Sequence, residues 1–255
     1  MPVAALEFPP VSHLIEWPDI FGSGPLAVNK VVLLMWLSVL VVFAVFYVAS
    51  RRAELVPTGV QNLAESVVDF VREGVILQTM GPAGMGWMLF LVMMFTFIFV
   101  GNIWEVIPLA QMPINGRIAL PAYMAVLVWV LFNYVGIRSQ GLGGYLRSVL
   151  FPPGVPKLLY VLVTPIEFVS TLLVRPFSLA VRLFANMLAG HLLLVSFQTI
   201  TAAVLVPGLA ILIWPASFAL LVGVTGFEVL VAVLQAFIFT ILTAVYIGGA
   251  MHPEH

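Results

Sequence analysis

The 255-residue chain contains no cysteine. That absence excludes disulfides, thiolate metal sites and cysteine nucleophiles together. Charge is nearly as scarce: Asp, Glu, Lys and Arg make up 8% of residues, against roughly 25% in soluble domains. The net charge is −1 and no basic block occurs, so nothing marks a nucleic-acid surface. No glycine-rich phosphate loop is present, so no nucleotide site is expected in this chain. No metal or cofactor is expected either. What the chain does have is apolar bulk, at 62% of residues. The length is therefore better divided into membrane spans of about 20 residues than into soluble domains.

Residues 1–27 read as an N-terminal tail outside the bilayer. They carry Glu7, Glu16, Asp19 and prolines at 2, 9, 10, 18 and 25, unlike the basic-then-apolar order of a cleavable signal. Membrane spans are expected over 28–50, 87–110 and 119–138, with a Gly- and Pro-rich loop over 139–157. Residues 57–73 differ. Val60, Leu63, Ala64, Val67, Val68 and Val71 recur at helical spacing, with Gln61, Asn62, Glu65, Asp69, Arg72 and Glu73 on the other face. That pattern predicts an amphipathic helix lying on the membrane surface or against a partner.

Positive charge sets the orientation. Arg51, Arg52 and Arg72 follow the first span, and Arg138, Arg147 and Lys157 follow the third; the opposite side holds Lys30 and Arg117. The N-terminus is thus expected outside and the C-terminus in the cytoplasm.

Two apolar segments remain, 158–202 and 208–250. A straight helix of more than 40 residues reaches about 60 Å or more, whereas the hydrocarbon core is about 30 Å thick. Each segment is either one steeply tilted helix or two short spans turning near 174–177 and 222–226. The expected class is an all-α integral membrane protein with about five transmembrane helices and one surface helix.

The chemistry lies in a few intramembrane polar residues. Arg182 costs at least about 2.5–3.5 kcal/mol at membrane depth on insertion scales. It shares a helix face with Asn186 at i+4, while His191, nine residues on, points roughly the opposite way. Glu228 and Gln235 lie two turns apart on one face, and Asn102 and Glu105 are spaced i, i+3. Ionisable Glu and His strung through a bilayer suggest a proton relay. Arginine cannot relay protons, because it does not deprotonate in practice. No acid lies one turn from Arg182, so its counter-charge must come from another helix or chain. Blander roles stay open. Arg182 could pair with Glu228 or Glu167 to hold helices together, His191 could be a packing residue, Glu105 an interfacial acid, and Asn186 and Gln235 interhelical glue. Arg175 reads as a snorkelling charge near an interface. The chain could also be a secondary transporter, although no internal repeat is evident, or a structural subunit whose charges direct assembly.

The run Arg182-Leu-Phe-Ala-Asn186-Met-Leu-Ala-Gly190-His191 resembles the signature of the subunit a family of bacterial F-type ATP synthases. The segment from Phe227-Glu228 through Gln235-Ala-Phe-Ile-Phe239 to Tyr246 is similar to its C-terminal helix, and Asn102, Glu105 and Pro108 to an earlier element. The resemblance covers about residues 28–250. It implies a membrane stator subunit of the bacterial plasma membrane, partnered by a ring of c subunits, by peripheral-stalk b subunits and by lipid. Two proton half-channels against the ring would couple proton flow to rotation and ATP synthesis, with no nucleotide bound by this chain. Arg182 would face each ring carboxylate in turn and block a direct leak. Asn102, Glu105, Glu167, Asn186, His191, Glu228 and Gln235 would line the half-channels. The last two helices would be long and tilted. One departure is an exchange: where many bacterial members place Glu and His, this chain has His191 and Glu228. The exchange keeps an acid and an imidazole together. Glu167 is displaced by about one residue from the family's acid.

Overall fold

A computed structural model describes residues 19–22, 27–51, 54–108, 110–151, 156, 159–205 and 209–251. Arg52, Lys157 and most of the expected tail over 1–27 lie outside the described residues. Among those described, helix dominates, and the only extended pairing is an isolated antiparallel bridge between Phe21 and Val28. Five helical stretches are long and apolar enough to cross a membrane: Lys30–Arg51, Gly81–Ile103, Ala119–Leu150, Tyr160–Val204 and Trp214–Met251.

Helix α1 spans Lys30–Arg51. Helix α2, Val60–Val71, is the amphipathic element, and it continues through a wide π turn at Arg72–Ile76. Ala64 and Val71 are buried, whereas Val60 and Leu63 are exposed, so the covered stripe is narrower than the apolar one. A 3-10 stretch at Gly81–Trp87 leads into α3, Met88–Ile103. The apolar run expected to reach 110 stops being helical there and turns through residues 104–108.

Helix α4 covers Ala119–Leu150, and only Gly141 leaves helical geometry, at φ 72° and ψ 162°. The segment expected as a loop from 139 is therefore mostly helical. Positive φ with ψ near extended is a conformation open in practice to glycine alone, so Gly141 kinks the chain and separates two helical stretches. Past the bend, Tyr145 returns onto Gly136, where an added Cβ would sit 3.1 Å from the Tyr145 ring carbon Cζ. Glycine spacing and loop composition look alike in sequence; the packing of Tyr145 separates them.

Helix α5, Tyr160–Val169, passes through a π turn at Ser170–Val174 into α6, Arg175–Val204. Pro176 has no N–H to donate to the preceding turn, and a widened turn absorbs that loss without breaking the helix. No hairpin forms at 174–177. Helix α7 runs unbroken over the 38 residues Trp214–Met251, through Gly223 and Gly226. At about 1.5 Å per residue it is close to twice the thickness of a hydrocarbon core, so it crosses only at a steep tilt.

The chain divides into two compact units. The first comprises Met1–Val42, Phe97–Arg117 and Phe184–Gln235. In it Trp104 Nε1 donates to Ser38 Oγ (2.7 Å), and Ser38 Oγ donates to the Leu34 carbonyl (2.7 Å). The hydroxyls of Thr201 and Ser217 lie 2.8 Å apart and tie α6 to α7. The second unit comprises Phe43–Thr96, Ile118–Leu183 and Ala236–His255. There Phe70 meets Phe95 and Phe237 at 5.5 and 5.6 Å between ring centres, which seats α2 against α3 and α7. Leu40, Phe43, Val161 and Phe177 are all more than 60% exposed. Such a surface is untenable in water but ordinary in lipid.

Candidate functional site

The first unit gathers the polar residues. Helix α3 carries Asn102 in its last turn, and the turn that follows places Glu105, its N–H bonded to the Asn102 carbonyl at 3.1 Å. The chain then returns through a 3-10 turn at Ile114–Gly116. It can lie this close because residue 101 is glycine: a Cβ there would come within 2.6 Å of Ile114 Cγ1. The turn delivers Asn115, whose Nδ2 donates to Asn102 Oδ1 at 2.7 Å. On α6, His191 Nδ1 lies 3.9 Å from Glu105 Oε1. On α7, the Glu228 carboxyl rests against the backbone of Gly190, where an added Cβ would sit 2.7 Å from its Cδ and 2.8 Å from its Oε1. Glu228 also stands close enough to Glu105 for the two carboxylates to repel.

Burial defines the character of this cluster. Asn102 and Asn115 are 1% exposed, Glu228 3%, Glu105 4% and His191 8%. Among the described residues, five buried side-chain polar atoms find no hydrogen-bond partner, and four belong here: Asn102 Nδ2, Glu105 Oε1, Asn115 Oδ1 and Glu228 Oε2. Packed interiors satisfy most such atoms, so this concentration sets the cluster apart from the rest of the described interior. Two carboxyls and an imidazole thus share one low-dielectric region. The 3.9 Å between Glu105 and His191 is too long for a direct hydrogen bond; a change of rotamer in either side chain alters it.

The remaining sequence-derived residues fall elsewhere. Gln235 is 4% exposed, two turns from Glu228 on the buried stripe of α7. Asn186 is exposed. Arg182 and Glu167 belong to the second unit, where Arg182 is exposed and Glu167 half-buried. Within that unit Arg182 forms no ion pair with a described residue. Burial along α6 alternates as its periodicity requires: Leu183, Met187, Gly190, His191 and Leu194 are covered, while Arg182, Ala185, Asn186, Ala189 and Leu193 are exposed. Arg182 and His191 thus occupy different faces of one helix.

Arg175 is not a bare interfacial charge. Its guanidinium stacks over the Tyr246 ring at 5.4 Å, within the second unit. Asn115 is the member of this buried cluster that the sequence does not single out. In sequence, Asn115-Gly116 is a turn dipeptide, and nothing local shows that the turn folds back onto α3. The sequence pairing of His191 with Glu228 also left out Glu105 as a partner of the imidazole.

A family model described as ATP synthase A chain matches residues 32–248. The chain is 44% identical to ATP synthase subunit a of Frankia alni, covering 94% of this chain and 84% of that one. It is 39% identical to ATP synthase subunit a of Rhodococcus erythropolis, with 97% and 89% covered. Identity is 33% to ATP synthase subunit a of Hyphomonas neptunium, over 100% and 99% of the two chains. With five apolar helices, a match spanning nearly all of them and end-to-end relatives, this multi-pass membrane protein belongs to the ATP synthase A chain family.

Proposed function

We propose that the chain is the membrane stator subunit of a proton-driven ATP synthase, forming two half-channels against a ring of c subunits. The observation that carries the proposal is the division of α6 into two faces. One face exposes Arg182, with no ion pair to a described residue of its own unit and small neighbours at Ala185 and Ala189. The other contributes His191 to a buried group with Glu105, next to the Gly190 seat of Glu228. A permanently charged, unpaired guanidinium on an exposed membrane face calls for an external carboxylate. A buried acid–imidazole group that can change protonation suits proton delivery.

In this mechanism a proton enters through Asn102, Glu105, His191, Glu228 and Gln235 and neutralises a ring carboxylate. The neutral site turns away into lipid. After a revolution it loses its proton on the far side, where Glu167 borders the exit, and Arg182 draws the ionised carboxylate past. Arg182 conducts no proton itself, so it separates entry from exit. Asn186, one turn from Arg182, hydrogen-bonds the passing carboxylate. The small side chains let the ring helices approach closely. ATP chemistry resides on other subunits, and b subunits hold this one against the ring. The N-terminus lies outside and the C-terminus in the cytoplasm.

The test uses the whole complex in proteoliposomes. Arg182→Ala should leave assembly intact and reduce ATP synthesis driven by an imposed proton gradient to background. Coupled synthesis surviving in that variant would sink the proposal.

A further inference from the structure

Within this half-channel reading, and resting on it, we infer that Asn115 is a positioning residue of the proton path, acting through Asn102. Four observations support it. Asn115 is 1% exposed, yet it comes from the turn at 114–116 rather than from a membrane helix. Its Nδ2 donates to Asn102 Oδ1 at 2.7 Å, and that bond fixes which way the Asn102 amide points. Gly101 leaves the room this turn needs, since a Cβ at that position would sit 2.6 Å from Cγ1 of Ile114, the residue before Asn115. The bond also leaves a buried donor, Asn102 Nδ2, and a buried acceptor, Asn115 Oδ1, on the two partnered amides.

That last feature separates a path from a pin. An amide that only anchors a turn is most stable with both ends bonded, because a stranded buried polar atom carries its full desolvation cost. A free donor and a free acceptor on two bonded amides suit a water molecule, whose oxygen accepts from the N–H while its own O–H donates to the C=O. The ligand class is therefore a proton-carrying water, handed on towards Glu105 one turn from Asn102. The groups that set the local charge are Glu105 from the turn after α3, His191 from α6 and Glu228 from α7. Arg117, half-buried two residues beyond Asn115, is the fixed cation of the same segment.

The experiment measures passive proton uptake into proteoliposomes holding the membrane sector. Uptake is driven by a potassium diffusion potential and followed from pH 5.5 to 8.5 (about the span over which His and perturbed carboxyls titrate). Asn115→Leu, which keeps the branching of the side chain but not the amide, should lower uptake about tenfold, the effect of stranding one buried partner. Asn115→Asp should regain uptake as the pH falls, because only the protonated acid can donate to Asn102 Oδ1. Glu105→Gln is the control on the underlying reading. If Glu105→Gln lowers uptake and Asn115→Leu matches wild type, this inference fails and the half-channel stands. If both match wild type, the half-channel reading fails too. If Asn115→Leu does not assemble, Asn115→Asp decides: a pH profile parallel to wild type overturns the inference. Failure of both variants to assemble also overturns it, since Asn115 would then be a packing residue.

Discussion

Each unit holds asparagines away from open solvent, buried at Asn102 and Asn115 and half-buried at Asn133, and the molecule treats them differently. In the second unit Asn133 is used at both ends: Tyr145 Oη donates to its Oδ1 at 2.9 Å, and its Nδ2 donates to the Trp129 carbonyl at 2.7 Å. Nearby, Ser139 Oγ and Gln140 Nε2 both donate to the Ala250 carbonyl in the last turn of α7. These groups close the ends of helices and join them. In the first unit Asn102 and Asn115 share one bond and keep two buried atoms unpartnered, beside two acids and an imidazole. Polar satisfaction therefore distinguishes an anchor from a site where residue type alone does not.

The sharpest way to break this comparison is at Gly190. Gly190→Ala would drive a methyl into the Glu228 carboxyl. Overpacking of this kind typically costs about 1–3 kcal/mol. Passive proton uptake should fall about tenfold with the complex still assembled, whereas Gly86→Ala, which opens onto free space, should match wild type. Equal uptake in the two variants would mean that the position of Glu228 does not matter. A finer test is the pair Glu105 and His191. Glu105→Gln and His191→Ala should each lower uptake several-fold, and the double variant should lose less than the product of the two. Independent effects would show that their 3.9 Å approach is incidental.

The second unit should respond in stability rather than in conduction. Tyr145→Phe removes one bond to Asn133 and should cost about 1 kcal/mol, read as a lower melting temperature of the detergent-solubilised complex with unchanged uptake. A change in uptake at unchanged stability would erase the distinction between the two units. The smallest effect should come from Arg175→Gln. It loses a stacking contact with Tyr246 worth about 0.5–1 kcal/mol where partly exposed, and thermal melting again measures it.

Several of these features were legible in the chain before any coordinates. The i, i+4 relation of Arg182 and Asn186, and the divergence of His191, follow from helical pitch alone. So does the inward stripe of Ala64 and Val71 on α2. The length of α7 against bilayer thickness already posed the question of tilt. Other features were not legible, because they depend on chain reversals. Gly141 and its neighbouring glycines look like loop in sequence, yet only Gly141 leaves helical geometry, and past its kink a second helical stretch brings Tyr145 onto Gly136 and Asn133. Pro176 read as a possible hairpin, yet a π turn absorbs it.

What the sequence determined by itself is what local periodicity and transfer energy control: an apolar chain in a membrane, its helical faces, and a costly arginine with no acid within a turn. What only the tertiary structure decided is which distant residues share one buried space. Asn115 reaches Asn102 across 13 residues because Gly101 leaves room for the returning turn. Glu228 reaches the flank of His191 because residue 190 has no side chain. Close approach depends on the shape of both partners at once, and no periodicity along a single helix encodes the shape of the other.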